Sequence, residues 1–242
     1  MSSLKVTAIR TRIFHKEENL LEFILSQVPS EYWQEGTILA VTSKLVSLHE
    51  GRLLARSGVD KIELIKKESD VYLGEMAYGC HLTITKGQLL ATAGIDESNS
   101  ENGEYILYPL APYDSVERLR DGLRERTGLK NLGVLLTDSH SVPLRHGVVG
   151  SCVAFAGFRA IKNRIGDNDI FGRALKMTKQ NQADALAAAA VLMMGEAAEQ
   201  CPLAIITGAP VEFSDNSPRE ELEVAMTDDM YYPLYKSFLD KE

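Results

Sequence analysis

Two acidic turns far apart in the chain carry residue types that bind a divalent cation. Residues 93–99 read Ala-Gly-Ile-Asp-Glu-Ser-Asn, and residues 137–140 read Thr-Asp-Ser-His. In each, an apolar segment typical of a β-strand stops at an aspartate, Asp96 or Asp138, and small polar residues follow. Carboxylate oxygens suit a hard cation such as Mg²⁺, and the basic residues within residues 145–150 suit phosphate. The pair predicts a metal–phosphate site assembled from distant parts of the chain.

Taken by itself, each turn also fits a simpler role. Asp and Asn in such turns commonly bond their own backbone, which would account for Asp96 and Asn99. Asp138 and Ser139 equally fit a turn or a helix cap. In the functional interpretation, the two carboxylates and the Ser139 hydroxyl bind metal, while the Asn99 amide bonds a nucleotide or phosphate. Mg²⁺ takes one or two protein carboxylates and completes its shell with water and substrate phosphates, so this set would suffice.

Basic residues near these turns add candidates for anion binding. Ser43 and Lys44 follow an apolar segment and could line a phosphate pocket, by a hydroxyl and a point charge. Arg145 and His146 suit phosphate oxygens or a substrate carboxylate. Residues 145–179 include seven basic and two acidic residues, which gives this segment a charge of +5 in a chain of net charge −8. A solvated surface would explain that run, but its place after an acidic turn favours a polyanionic small molecule.

Composition excludes several classes of protein. The chain has 242 residues, of which 45% are hydrophobic, enough for one large domain with an ordinary core. A net charge of −8 argues against nucleic acid as a partner. No apolar run reaches the length of a membrane helix, no signal peptide is evident, and the three cysteines lack metal-site spacing. These features predict a soluble, cytoplasmic protein that does not bind a membrane.

Hydrophobic periodicity and turn residues predict a mixture of strands and helices. Strands are predicted over residues 4–9, 37–41, 45–48, 81–85, 88–92, 132–136 and 202–206, and helices over residues 17–26, 60–67, 114–126, 183–198 and 220–228. No strict βαβ rhythm, P-loop motif or GxGxxG fingerprint is present. The prediction is a mixed α/β (α+β) fold with mixed sheets, one domain over residues 1–242 without a clear internal boundary.

In order along the chain, these segments resemble the coenzyme F-420-0:L-glutamate ligases and their relatives described as folate gamma-glutamate ligases. The resemblance covers nearly the whole sequence and rests on many spaced matches. They are Ser43, Glu50-Gly51-Arg52, residues 93–96, Ser98-Asn99, Thr137-Asp138, Arg145, residues 147–150, Gly157, Ile165-Gly166, Phe171-Gly172-Arg173, Ala183-Asp184, Met194-Gly195-Glu196 and Gly208.

The resemblance implies a GTP- or ATP-dependent ligase that uses Mg²⁺ or Mn²⁺ to form gamma-glutamyl amide bonds. It also implies a homodimer of intertwined α/β subunits, in which the single domain is alternatively described as two intertwined subdomains. Its partners would be L-glutamate, the nucleotide and an anionic small-molecule acceptor. We expect an acyl-phosphate intermediate, because a free carboxylate cannot form an amide without activation.

The resemblance also implies roles for individual residues. Asp96 and Asp138 would bind the first metal ion, and Ser139 a second one. Asn99 would bond the nucleotide, with Ser43 and the stretch from Thr11 to Phe14 nearby. A loop of Gly208, Ala209 and Pro210 would close over the nucleotide. The remaining candidates follow from residue type and the expected mechanism and not from the resemblance: Arg145 as a catalytic anchor for phosphate, and His146, Lys162 and Arg173 as substrate-binding residues.

Two departures from the family pattern concern the acceptor. Leu48 stands where the family commonly has a lysine, and residues 139–142 read Ser-His-Ser-Val where it has Thr-Asn-Gly-Arg. The first hypothesis for the acceptor is the F-420-0 deazaflavin precursor. The alternatives are a (tetrahydro)folate, favoured by the changes at Leu48 and Val142, and a nucleotide- or metal-binding protein without ligase activity.

Overall fold

The computed structural model describes residues 3–239 and divides them among strands and helices numbered in chain order. The strands are β1 (Lys5–Ile9), β2 (Thr37–Thr42), β3 (Leu53–Leu54), β4 (Val71–Glu75), β5 (His81–Thr85), β6 (Gln88–Ala91), β7 (Tyr105–Ile106), β8 (Leu132–Ser141), β9 (Val148–Ala156), β10 (Ile161–Asn163), β11 (Lys179–Asn181) and β12 (Leu203–Thr207). The α-helices are α1 (Leu20–Gln27), α2 (Ser43–His49), α3 (Lys61–Glu68), α4 (Pro112–Thr127), α5 (Gln182–Met194) and α6 (Tyr232–Leu239).

A five-stranded mixed sheet is the centre of the fold, with strand order β1-β12-β2-β8-β9. Only β2 and β8 pair in parallel, and the other three pairs are antiparallel. Both strands of the parallel pair are apolar and buried along most of their length. Strands covered on both faces need such continuous apolar runs, so the sequence and the layer arrangement agree.

Helices cover both faces of this sheet. Along β2, Leu39 and Val41 belong to a core shared with α1, α2 and α4, whereas Ile38 and Ala40 belong to a second core formed with α5. This division follows from the alternation of side chains along a strand. The alanine-rich α5 packs so closely that a Cβ atom on Gly150 would lie 2.6 Å from the Ala187 carbonyl oxygen.

A smaller three-stranded sheet, β4-β5-β6, stands beside the main layers. Helix α6 packs against it through Tyr235, which is buried with Leu73 and Ile84. Directly after β6 the chain makes the turn at Thr92–Gly94 that leads to Asp96. The small sheet therefore carries the first acidic turn to the main sheet.

Most of the predicted elements are present, and the mixed α/β fold class is confirmed. The hairpin of β5 and β6 and the strands β1, β2 and β12 lie within a residue or two of their predicted bounds. Helix α1 begins at Leu20, later than predicted, because the Asn19 side chain caps it by accepting a hydrogen bond from the Glu22 amide. A division into two intertwined subdomains stays a prediction.

Five local predictions are wrong. Helix α5 ends at Met194, four residues before its predicted end, and Gly195 follows it with a φ of 84°. Residues 45–48 are helical, within α2, because burial on the sheet overrides their strand-like composition. Helix α4 begins at Pro112 without a capping box, since proline suits the first helical turn. Residues 220–228 form two short 3-10 turns and no continuous helix. Strand β8 continues to Ser141, so Asp138 lies within a strand and not in a turn after one.

Within residues 3–239, no helix is both long enough and apolar enough to span a membrane.

The core on the α5 face should depend on Phe158, whose fully buried ring contacts that of Phe155 at a centroid distance of 5.6 Å. We expect Phe158→Ala to lower the free energy of unfolding by about 3–5 kcal/mol, because a cavity replaces the ring. Tyr78→Ala, at a fully exposed ring, should change it by less than about 0.5 kcal/mol. Denaturant titrations measure both, and equal effects would contradict this account of the core.

Candidate active site

One small cavity brings together residues from both acidic turns. Its lining includes Ser43 and Lys44 from the start of α2, Asp96 from the turn after β6, and Asp138 from β8. The other residues that line it are Ser47, Gly94, Ile106, Leu107 and Tyr108. Four of the predicted site residues, separated by up to 95 positions in the sequence, therefore face one space.

The parallel pairing of β2 and β8 accounts for half of this convergence. Thr42 lies opposite Thr137 in the register of the two strands. Ser43 follows Thr42 and Asp138 follows Thr137, so these two residues lie at the same edge of the sheet. Ser43 then enters helix α2, and Asp138 continues along the extended β8.

The backbone at Asp96 is held in place by a strained turn and a β-bridge. Thr92 and Ala93 adopt φ values of 56° and 53°, a left-handed conformation unfavourable for side chains with a Cβ atom. The Thr83 hydroxyl, which accepts a hydrogen bond from the Ala93 amide at 3.2 Å, helps to maintain it. Asp96 and Ile106 then exchange two backbone hydrogen bonds of 2.9 Å. The carboxylate therefore projects from a well-determined backbone.

Gly94 fits this turn for a second reason. Its φ is +69°, and a Cβ atom there would lie 2.4 Å from Cδ2 of Tyr108. The Tyr108 ring therefore packs directly on the glycine backbone. Arg52 supports the same segment, since its Nε donates to the Tyr108 carbonyl oxygen at 3.1 Å. The sequence pattern identified Gly94 and Arg52 as motif residues, but it did not identify Tyr108, which contacts both of them.

The two oxygens of the Asp96 carboxylate have different partners. Oδ1 accepts hydrogen bonds from the Ser98 amide at 2.6 Å and the Ser98 hydroxyl at 2.8 Å. Oδ2 lies 2.6 Å from Nζ of Lys44. Burial opposes ionisation, but Lys44 and Ser98 outweigh it and hold the pKa of Asp96 below its usual range. Asp96 is therefore ionised at neutral pH.

Asp138 lies in a different electrostatic environment. Burial raises the pKa of this carboxyl to about 6, although the Ser139 amide donates a hydrogen bond to Oδ1 at 2.9 Å. The negative charge of Asp96 adds to the increase, and Lys44 opposes it. The charge of Asp96 disfavours ionisation of Asp138 across one cavity, and this favours a bound cation there, since a cation would compensate both charges.

The Tyr108 hydroxyl is a further polar group at the cavity, and it was missed at the sequence level. It is buried and has no hydrogen-bond partner within residues 3–239. Burial, with a smaller contribution from the charge of Asp138, raises its pKa, so the group stays a neutral phenol. An unsatisfied buried hydroxyl on a residue that lines this cavity fits a site that takes a hydrated cation or a phosphate. No sequence signal marks it, because buried tyrosines are common.

Ser139 faces away from the cavity, as the alternation along β8 requires. Its hydroxyl lies 2.8 Å and 3.0 Å from the two carboxylate oxygens of Glu196, just beyond α5. Glu196 also contributes to the raised pKa of Asp138, so this carboxylate lies near the first two. In the described part of the chain, however, no three His, Cys, Asp or Glu side chains are grouped closely enough to hold a metal ion by themselves.

The predicted nucleotide residues are divided between near and distant positions. Asn99 lies in the Asp96 loop, where its φ is 59° and its amide nitrogen is 3.5 Å from the Ser98 hydroxyl. Gly208 follows β12, which is antiparallel to β2, so residues 208–210 lie at the opposite edge of the sheet from Ser43. There the Pro210 carbonyl oxygen accepts a hydrogen bond from Gln182 at 2.8 Å. Within a single subunit, residues 208–210 therefore lie away from the cavity.

The predicted substrate residues lie on two exposed segments outside the cavity. Arg145 and His146 are in the connection between β8 and β9, and Lys162 and Arg173 are in residues 161–181, which we call the arm. Arg173 forms an ion pair with Asp169 at 3.0 Å. Within residues 3–239, Arg145 and Lys162 form no ion pair, so their charges remain available to an anion. The structure does not bring any of the four to Asp96.

Several motif residues are structural supports. Glu50 accepts hydrogen bonds from the Leu110 amide and the Ser115 hydroxyl, both at 2.8 Å, and so ties α2 to the start of α4. Asp184 accepts one from the Cys152 amide at 2.8 Å and so ties α5 to β9. Leu48 is buried in the core below α2 and does not line the cavity.

The raised pKa of Asp138 predicts how stability depends on pH. Because the folded protein holds this proton more tightly than the unfolded chain, stability from this group is present below about pH 4 and is lost as pH rises through about 6. Relative to wild type, metal-free Asp138→Asn should gain stability across that window, by at most about 1.4 kcal/mol per pH unit. Urea titrations at several pH values measure the difference. A difference that does not change with pH would contradict the assignment.

Comparison with known proteins identifies the family. A family model described as F420-0:Gamma-glutamyl ligase matches residues 8–208. The coenzyme F420:L-glutamate ligase of Methanocaldococcus jannaschii is 35% identical over 235 residues, which cover 90% of this chain and 92% of that protein. The protein of the same name from Archaeoglobus fulgidus is 34% identical over 211 residues, covering 80% and 83%. The chain therefore belongs to the F420-0:gamma-glutamyl ligase family and is a ligase.

Proposed function

We infer that this ligase joins L-glutamate to the F-420-0 deazaflavin precursor in a reaction that consumes GTP or ATP and requires Mg²⁺ or Mn²⁺. The observation that carries this proposal is the convergence of Asp96, Asp138, Lys44 and Ser43 on one cavity. The relatives named coenzyme F420:L-glutamate ligase, about 35% identical over most of the chain, support this acceptor. A (tetrahydro)folate acceptor is the alternative.

The residues present fit a divalent cation. Asp96 and Asp138 supply two carboxylates, and the unpartnered Tyr108 hydroxyl supplies a polar group that would bond a water or phosphate oxygen. Ser139 and Glu196 lie on the opposite side of β8 from the cavity, and they are the groups that would bind a second cation. When bound, such ions would neutralise charge on the phosphates of the nucleotide.

The reaction follows from the need to activate a carboxylate. An oxygen of the acceptor carboxylate attacks the γ-phosphorus, the bond to the bridging β–γ oxygen breaks, and an acyl phosphate and a nucleoside diphosphate result. The amine of L-glutamate then attacks the acyl carbon, loses a proton and displaces inorganic phosphate. Both steps move charge onto phosphate oxygens, so positioning and electrostatic stabilisation provide most of the catalysis.

The chain's own residues supply these contributions. Lys44 is the cation nearest the two aspartates, and its ammonium suits a γ-phosphate oxygen. The Ser43 hydroxyl, at the same cavity, suits a neighbouring phosphate oxygen, and the Asn99 amide suits the nucleotide. Arg145, Lys162 and Arg173, with His146, lie on exposed segments and suit the carboxylates of the acceptor and of glutamate.

We also propose that the enzyme is a homodimer. Large apolar side chains are exposed on the connection between β8 and β9, where Leu144 is 98% exposed, and on the arm, where Ile170 and Phe171 are 93% and 75% exposed. Helix α5, which contacts both β9 and the arm, exposes Leu192. Apolar surface of this extent is typical of an interface, and a second copy of the chain would cover it.

The activity is tested with labelled L-glutamate, Mn²⁺, GTP or ATP, and either F-420-0 or tetrahydrofolate as acceptor. We expect labelled product and an equivalent of nucleoside diphosphate with F-420-0. Product with tetrahydrofolate alone would establish the alternative acceptor. Absence of product with both, under conditions where nucleotide binds, would contradict the proposed reaction.

Asp96→Asn tests the role of the carboxylate at the cavity. We expect turnover to fall by at least about a thousandfold, because the variant loses a charge that would bind metal and position the phosphates. Glu97→Gln is the matched control, since it removes the same charge one residue away, where Glu97 pairs with Arg56. Its turnover should stay within about threefold of wild type by the same rate measurement. Near-normal turnover of Asp96→Asn would contradict the assignment.

Substitution on the arm tests the homodimer. Phe171→Asp should shift the protein from dimer to monomer in sedimentation experiments, because a charge would replace an apolar contact in the interface. Tyr78→Asp, at a fully exposed ring far from the arm in sequence, should leave the dimer intact. A wild-type protein that sediments as a monomer at micromolar concentration would contradict the proposal.

A further inference from the structure

The Asp96 carboxylate has one oxygen committed to its own loop and one oxygen committed to a cation of the protein. Oδ1 accepts two hydrogen bonds from Ser98, which maintain the turn. Oδ2 lies 2.6 Å from Nζ of Lys44, and both residues line the cavity. An incoming metal ion that uses Asp96 without disrupting the loop must therefore bind Oδ2, the oxygen that Lys44 now holds.

We propose that Lys44 is an exchangeable counter-ion, which occupies the metal-facing oxygen of Asp96 until a nucleotide draws its ammonium onto phosphate. The proposal rests on the proposed function, because it assumes that the cavity takes a metal and a nucleotide. It adds that these two ligands depend on one another through a single side chain. Metal alone must displace Lys44, whereas metal with nucleotide finds Oδ2 free.

Charge in the cavity supports this exchange. With Lys44 in place, one positive charge faces the carboxylates of Asp96 and Asp138. A divalent ion that entered beside the ammonium would have to overcome its repulsion at short range. Once the ammonium pairs with a phosphate oxygen, the same two carboxylates face the metal without a competing cation.

The side chain of Lys44 is able to make this movement. It is partly exposed, its ammonium is a compact charge on a flexible stem, and its second contact is a weak one of 3.3 Å to the Ser98 hydroxyl. Asp96, in contrast, is fixed by its bridge to Ile106. The mobile partner of the pair is therefore the lysine, and the carboxylate stays in position for the metal.

Coupling between two ligands is reciprocal, so the exchange predicts a measurable cooperativity. Nucleotide should raise the affinity of the site for metal, and metal should raise its affinity for nucleotide by the same factor. Removing the lysine should abolish most of this coupling. It should also raise the affinity for metal alone, because the competing cation is gone.

The test is direct binding of Mn²⁺, measured by electron paramagnetic resonance of the free ion, with and without a β,γ-imido analogue of GTP. Titrations without protein correct for Mn²⁺ bound by the analogue itself. Without nucleotide, Lys44→Met should bind Mn²⁺ at least about tenfold more tightly than wild type. The ratio of Mn²⁺ affinities with and without the analogue should be smaller in Lys44→Met than in wild type.

Lys61→Met is the matched control. Lys61 pairs with Glu97, the neighbour of Asp96, so the variant loses the same charge close to the site without freeing Oδ2. Its Mn²⁺ affinity should change by less than about threefold. Loss of Mn²⁺ binding in Asp96→Asn assigns the bound ion to this site. Circular dichroism verifies folding, and Lys44→Gln provides a second variant if Lys44→Met does not fold.

The outcomes separate the two proposals. Unchanged Mn²⁺ affinity in Lys44→Met, or an increase no larger than that of Lys61→Met, would overturn the exchange and leave the metal site in place. Failure of wild type to bind Mn²⁺ even with the analogue would overturn the metal site and the exchange together. An increase specific to Lys44→Met, with reduced coupling, is the result that supports the proposal.

Discussion

The parallel pairing of β2 with β8 is the constraint on which the site depends. Thr42, the last residue of β2, lies opposite Thr137 of β8. The residues that follow these two threonines therefore lie at the same edge of the sheet. Ser43 and Asp138 become neighbours for that reason alone. A shift of one residue in this register would turn the Asp138 side chain to the α5 face, where Ser139 now lies.

Asp96, on the other side of the cavity, is positioned by structural contacts that have no direct chemical role. A left-handed turn at Thr92 and Ala93, the contact of Gly94 with the Tyr108 ring and the bridge between Asp96 and Ile106 set the position of one carboxylate. Such strained backbone persists only where surrounding bonds determine it. The motif residue Arg52 is one such support, since it donates a hydrogen bond to the Tyr108 carbonyl oxygen, and Glu50 has a structural role between α2 and α4.

Prediction from the sequence succeeded where local patterns are strong and failed where tertiary contacts override them. Alternation and turn residues identified the hairpin of β5 and β6, and the apolar run identified β8. The same rules misassigned residues 45–48, whose apolar residues serve a short buried helix equally well. They also ended β8 at Leu136, since the polar residues that follow pair with β9 through backbone bonds, independently of composition.

The sequence alone indicated which residue types could form the proposed metal and phosphate site, namely oxygen ligands, a lysine and small residues, and their order indicated the family. The tertiary structure alone decided which of them meet. It joined Asp96, Asp138 and Lys44 in one cavity, turned Ser139 towards Glu196 and left residues 208–210 at the far edge of the sheet. Strand register and direction cause these outcomes, and both depend on contacts between residues distant in the sequence.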